Sequence, residues 1–270
     1  MPFPQESRLA KVRRLRPSWI EISPEGIAHN VARLRRLIGV SAKIMFTCKG
    51  DGYGFGVVKA ARLAIEAGVD GLCIGSPEEA ILLREAGIEV PILMFACTLP
   101  QAAEDVIDLD VTVTIHSLDS LNAYIETKLP VKAFVEIDCG MGRFGLIGKD
   151  WKQAFEKLFS ASNIELMGVY THLSSPEDET ISRNQLSVYD QAVQCARDCG
   201  FMDFETMVAS SRVVIEYPDL TYSAVDPGRF IFGALDESYK EKAGLKSMLH
   251  AVRGRLIQVQ PHAAGTELGI

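Results

Sequence analysis

Lys49 is the residue from which chemistry can start. It stands where an apolar run, Ile44 to Cys48, stops and a glycine-rich loop, Gly50-Asp-Gly-Tyr-Gly-Phe-Gly56, begins. A short continuous apolar run reads as a strand buried on both faces. A lysine at its end would keep its stem in apolar surroundings and its amine at the rim. Partial desolvation there disfavours the ammonium, so the amine would serve as a nucleophile or base. The glycines allow tight turns and close approach of the backbone to a ligand. Tyr53, four residues after Lys49, would bring a phenol beside the amine if a helical turn starts there. A solvated lysine at the head of a flexible loop accounts for the same residues without chemistry, and spacing alone does not choose between the two.

Other chemistry-bearing residues recur in the same kind of place. His116, Asp138, Arg143, His172, Ser210, Ser211 and Asp226 all fall at or just after the ends of predicted strands. Asp138-Cys-Gly-Met-Gly-Arg143 is a glycine turn carrying a guanidinium. Ser210 and Ser211, at a predicted helix start, offer hydroxyls and backbone N–H groups to an anion. Asp226 precedes Pro227 and Gly228, and a helix cap is one reading of it. A lone histidine at a strand end is more often a satisfied structural residue than a catalytic one. On that ground His116 is read as a residue that fixes a loop, and His172 by itself says no more.

The elements that must position these residues alternate. Trp19 to Ile22 is a short strand, and Ile27, Val31, Leu34 and Leu37 then recur at helical spacing. After the strand ending at Lys49 come a helix from Val57 to Ala67 and the strand Gly71 to Gly75. Ser76-Pro77-Glu78-Glu79 opens a helix with a cap, a proline and an acidic first turn. Strands follow at 91–95, 111–115, 131–138, 166–170, 206–209 and 224–225, with helices expected at 100–109, 117–128, 150–161 and 182–199. Strand–helix alternation argues for a parallel sheet. Eight strands from Ile44 onward predict closure into a (β/α)8 barrel, with the site at the C-terminal strand ends; an open doubly wound sheet is the alternative. The 270 residues suit one such barrel of ~250 residues.

The ends of the chain read differently. Residues 1–16 form an expected N-terminal arm with a basic cluster, Lys11 to Arg16. The barrel is expected over 17–236, with the strand at 17–22 free to pair elsewhere. Residues 237–270 read as a charged, loop-like linker followed by an alternating strand, Ala251 to Gln260, the start of a β-type domain. Two strands make no stable independent sheet, so the expectation is either a shortened form of a longer protein or strands that borrow partners.

Composition narrows the function. The chain is 47% apolar and 23% charged, with a net charge of −7. With no basic patch to follow a phosphate backbone, the charge argues against nucleic acid. No apolar run approaches the ~20 residues that span a bilayer, and the first residues lack the apolar middle of a secretory signal. The six cysteines show no framework, which predicts reduced thiols and a cytoplasmic setting.

Lys49-Gly-Asp-Gly-Tyr-Gly-Phe-Gly56 resembles the cofactor-attachment motif of alanine racemases, K-A-[DN]-[GA]-Y-G-H-G, departing at Gly50 and Phe55. Asp138-Cys-Gly-Met-Gly-Arg-Phe-Gly145 is similar to that family's D-T-G-M-G-R-x-G, and Gly168-Val-Tyr-Thr-His-Leu173 to its G-x-Y-T-H-F/L. The segments Ala209 to Arg212 and Val225 to Gly233 resemble its two phosphate-binding loops. The resemblance covers roughly residues 17–270. It implies pyridoxal 5′-phosphate as cofactor, a small amino acid as substrate, a homodimer, and racemisation. It also implies roles. Lys49 would carry the cofactor and act as a base, with Tyr53 beside it. Arg143 would bind the cofactor's phenolic oxygen, and His172 would lie at the ring. Ser210, Ser211, Gly228 and Arg229 would hold the phosphate. Two departures matter. The family arginine facing the ring nitrogen aligns with Asp226. The family's second base, a tyrosine from the partner subunit, aligns with Ile270. One-base racemisation, decarboxylation, retro-aldol cleavage and a non-catalytic cofactor-holding barrel all stay open.

Overall fold

The computed structural model describes residues 15–218, 220 and 222–269, and its chain divides into two compact units. The arm expected over 1–16 lies outside the described residues except for its last two, and Ile270 lies outside them as well.

The larger unit, residues 24–248, contains eight parallel strands. They are β2 (Lys43–Thr47), β3 (Gly71–Ile74), β4 (Ile92–Met94), β5 (Val113–Ile115), β6 (Val131–Glu136), β7 (Ile164–Tyr170), β8 (Glu205–Ala209) and β9 (Ala224–Val225). They pair in the order β4-β3-β2-β9-β8-β7-β6-β5. The two ends of that order meet. Met94 N–H donates to the Thr112 carbonyl at 2.9 Å, and Thr112 N–H donates to the Ile92 carbonyl at 2.8 Å. The sheet is therefore closed, which rejects the open alternative.

One side chain from most strands fills the barrel: Met45, Cys73, Leu93, Phe134, Tyr170, Met207 and Ala224 form a single buried cluster. Gly168 makes room for the Phe134 ring, with which any Cβ at 168 would collide. The outer helices form as their sequences predict. In helix Pro24–Ile38 the buried face is Ile27, Val31, Leu34 and Ile38. Ser76 Oγ accepts from Glu79 N–H ahead of helix Pro77–Glu85, and Ser117 and Ser120 form a reciprocal capping box.

Several boundaries differ from the sequence reading. The long helix expected from Ser182 begins at Glu179, because Asp178 accepts from Ile181 N–H at 3.0 Å and caps it a turn earlier. The stretch expected to be loop-like forms the helix Glu237–Ala243, anchored by buried Ala243 and ended by Gly244 in the left-handed conformation.

The smaller unit pairs β1 (Ser18–Ile22) with β10 (Leu249–Gly254), antiparallel, from Ser18 opposite Gly254 to Ile22 opposite Leu249. Strand β10 stops well short of the expected Gln260. Its last link is Arg255 N–H to the Pro17 carbonyl at 2.7 Å. A proline has no N–H to continue the ladder.

Asn30 ties the barrel's first helix to its last loops. Its Nδ2 donates to the carbonyls of Ile231 (3.0 Å) and Lys246 (2.7 Å), and its Oδ1 accepts from Lys246 N–H (2.9 Å). The residue is fully buried. Asn30→Ala strands all three backbone groups, so it should lower unfolding free energy by roughly 2–4 kcal/mol. The urea midpoint reads this directly, and a loss below ~0.5 kcal/mol would show that the three groups find other partners.

Candidate active site

Strand β2 delivers Lys49 to the rim. The loop that follows turns the unexpected way. Gly50, Asp51, Gly52 and Tyr53 have φ of 66°, 51°, 62° and 55°, so the turn is left-handed. Glycine adopts that conformation freely; aspartate and tyrosine do so at a cost. Two carboxylates hold it. Glu79 Oε1 accepts from Asp51 N–H at 2.8 Å, and its Oε2 accepts from Gly75 N–H at 2.8 Å. Asp51 Oδ1 accepts from Val57 N–H, also at 2.8 Å, and so caps the next helix.

The turn sets Tyr53 in the cavity wall together with Lys49. Its ring packs on Phe232, 5.2 Å between centroids. Its hydroxyl lies over Gly228: a Cβ at 228 would stand 2.9 Å from it and 2.8 Å from the Thr47 carbonyl oxygen. Only glycine fits there, and its bareness leaves a cradle in the cavity wall. The Lys49 stem is not desolvated as expected, since the side chain is exposed to the cavity. Gly75 leaves space for that stem, and Nζ lies 5.8 Å from the Phe95 ring centre.

Asp138 is a loop staple. Its Oδ1 accepts from the N–H groups of Gly140 (2.9 Å) and Gly142 (3.0 Å), which folds the glycine loop that presents Arg143. On the opposite side, Ser211 Oγ accepts from Phe230 N–H at 3.0 Å, so its own hydrogen is free to donate. Gly228 stands at the N-cap of the short helix Arg229–Phe232, which has no side-chain cap bond. The cap reading of Asp226 is therefore rejected.

The nine residues singled out in the sequence come to one cavity of about 500 Å³ at the C-terminal end of the barrel strands: Lys49, Tyr53, Arg143, His172, Ser210, Ser211, Asp226, Gly228 and Arg229 all line it. His116 does not; its ring meets Phe144 edge-on near the adjoining loop. Glu136, Tyr170, Thr47 and Phe95 also line the cavity, and the sequence reading passed over them. Glu136 had a signal. It is a carboxylate inside an apolar strand, and such a group is rarely placed there without a partner.

Burial governs the titrations. It holds His172 well below its ordinary range, at about 4, helped by the positive charges of Arg143 and Lys49. It raises Glu136, against the Tyr170 hydroxyl and Arg143, which pull the other way. It pushes Asp226 up to about 7, although a hydrogen bond from its own backbone N–H and the charge of Lys49 oppose it. Asp226 keeps some surface open to the cavity, but the protein around that opening excludes most of the solvent that would stabilise its charge.

The family model for the alanine racemase N-terminal domain matches residues 22–236. The chain belongs to that family. It is similar to the alanine racemase of Methanococcus maripaludis, with 28% identity over 239 residues, covering 85% of this chain and 64% of that protein. It is also similar to the catabolic alanine racemase of Pseudomonas putida, with 31% identity over 267 residues, covering 94% and 71% respectively. The solved structure of alanine racemase from Corynebacterium glutamicum superimposes with a TM-score of 0.81 at 27% identity, over 93% of this chain and 72% of that one. The chain thus spans a little under two thirds of the length of the first of these relatives. Among the described residues, no helix is long and apolar enough to cross a membrane, and all six cysteines are free.

The depressed His172 fixes the sign of one pH effect. A histidine whose folded pKa lies below its unfolded value of ~6.5 contributes stability above pH 6.5 that is lost as pH falls toward 4. The cofactor-free protein should therefore lose up to ~3 kcal/mol more than His172→Gln between pH 6.5 and 4. Parallel urea titrations at the two pH values test this; equal losses would place the ring in contact with solvent.

Proposed function

We propose that the chain is a pyridoxal-phosphate-dependent enzyme acting at the α-carbon of a small amino acid, and that its reaction is racemisation. The observation that carries this reading is the convergence of Lys49, Arg143, His172 and the Ser210–Ser211 and Gly228–Arg229 pairs on one cavity. The residues fit the cofactor. The bare Gly228 cradle and the free Ser211 hydrogen suit a phosphate, and Arg229 lies beside them. Arg143 suits a phenolate or a carboxylate, and Lys49 suits attachment through an aldehyde. When bound, the cofactor supplies an electron sink that makes the α-hydrogen acidic.

The chain's own groups do the rest. Lys49 Nζ takes the proton from the α-carbon and returns one to it. Arg143 orients the substrate by its charge. His172, neutral at physiological pH, contributes hydrogen bonds without adding positive charge beside Arg143. Phe95 lies 5.8 Å from Nζ and gives the amine an aromatic face to rest against.

A second reading keeps the cofactor and changes the bond broken, to decarboxylation or retro-aldol cleavage. The two acidic side chains in the cavity, Glu136 and Asp226, favour it. Incubation of each alanine or serine enantiomer in deuterated water separates the readings. Racemisation yields both enantiomers with deuterium at the α-carbon, whereas the second reading releases carbon dioxide or an aldehyde.

Borohydride reduction of the cofactor-loaded protein should leave the pyridoxyl mass on the peptide containing Lys49, and Lys49→Ala should abolish it. A label on another lysine sinks the assignment.

We also propose a homodimer. Trp19, Ile20 and Val252 on the two-stranded sheet are exposed apolar residues, and a short sheet with open edges recruits further strands. Sedimentation should show a mass near twice that of the chain; a monomer across a wide concentration range rules the dimer out.

A further inference from the structure

Asp226 is a carboxylate at the cavity wall whose one protein hydrogen bond is to its own backbone N–H. Its main chain is pinned, since Thr47 Oγ1 donates to its carbonyl at 2.8 Å. Pro227 follows, and Gly228 then presses on the Thr47 carbonyl. The side chain lines the cavity. It caps no helix, and no lysine or arginine pairs with it among the described residues. The charged groups that act on it are Lys49, by attraction, and Glu136, by repulsion. A part-buried acceptor held rigidly beside an open cavity is complementary to a ligand group that presents an N–H, ideally a charged one.

Position decides which ligand group that is. Asp226 and the Gly228–Arg229 pair belong to one four-residue segment, so the same loop addresses the phosphate and a second feature of the same ligand. Glu136 is the other acidic candidate. Its Oε2 is buried without a hydrogen-bond partner, and burial is followed by the Tyr170 hydroxyl and Arg143 among the influences on it, whereas Asp226 stands two residues from the Gly228 cradle.

From this arrangement we infer that Asp226 is the partner of the cofactor's ring nitrogen and holds that nitrogen protonated. The inference rests on the proposed cofactor. Its consequence is electronic: a protonated ring withdraws electrons from the breaking bond more strongly than an unprotonated one. An opposite charge at contact distance favours the protonated nitrogen by about 1–3 pKa units.

The test uses the full chain loaded with pyridoxal phosphate carrying nitrogen-15 in its ring. At pH 7.5 the nitrogen should resonate in the pyridinium range in the unaltered chain. It should move to the unprotonated pyridine range in Asp226→Asn, with a loss of at least ~10-fold in the ring's proton affinity. Asp226→Ser guards against misfolding of the first variant and should behave alike. Borohydride labelling of Lys49 is followed in every sample. An unprotonated ring in the unaltered chain, or a resonance that neither variant moves, overturns the inference and leaves the proposed function standing. Failure of the unaltered chain to take the cofactor at Lys49 overturns both.

Discussion

The cavity depends on one seam, where β9 meets β2. Lys43 pairs with Ala224 and Ile44 with Val225, so the first and last strands of the barrel lie side by side. One strand runs on to Lys49, the other to Asp226 and Gly228. Past the last ladder pair, Thr47 takes over: its hydroxyl binds the Asp226 carbonyl and its own carbonyl accepts the close approach of Gly228. An added Cβ at 228 would push the two loops apart at the point where both turn into the cavity. The attachment lysine and the anion cradle are therefore held in register by backbone contact, which side-chain motion disturbs little.

The left-handed turn after Lys49 is the second constraint. Successive residues in that conformation cost about 1–2 kcal/mol each unless they are glycine, and here Asp51 and Tyr53 carry the cost while Gly50 and Gly52 do not. The compensation is specific. Glu79 binds the Asp51 and Gly75 amides together, which ties the turn to the end of β3, and Asp51 caps the helix that follows. Strain of this kind persists where surrounding contacts over-determine it. The result is a lysine presented to the cavity and a tyrosine turned toward Gly228.

Periodicity made much of this legible. The eight strands and their helices follow from apolar runs and caps, and the closed barrel follows from their number. The nine site residues could be gathered because each stands at a strand end, and a barrel brings strand ends to one rim. The hand of the Lys49 turn could not be read. The same glycines permit either hand, and the choice rests on Glu79, which is 30 residues away in sequence. The length of β10 depended on Pro17, just ahead of its partner strand, and the start of the helix at Glu179 on a single aspartate cap, both local facts that override a longer pattern. Glu136 was passed over because attention fell on Asp138, two residues later, which the structure uses to fold a loop.

The electrostatics of the cavity then follow from where burial falls. Lys49 and Arg143 reach open space, whereas Glu136 is buried and Asp226 nearly so. Burial resists ionisation of a carboxylate, and both are raised because it outweighs the nearby positive charges. His172 resists charging for the matching reason, with two cations nearby. The cavity thus shifts both acids and the imidazole toward their neutral forms while its two cations reach open space. A stable fold gains nothing from such acids, since apolar residues of similar size would serve the packing as well or better. Their presence at the strand ends makes sense only against a ligand. A bound group that offers a positive N–H to Asp226 would offset the penalty that burial imposes on it, so that penalty would return as affinity and as control over the protonation of whatever binds.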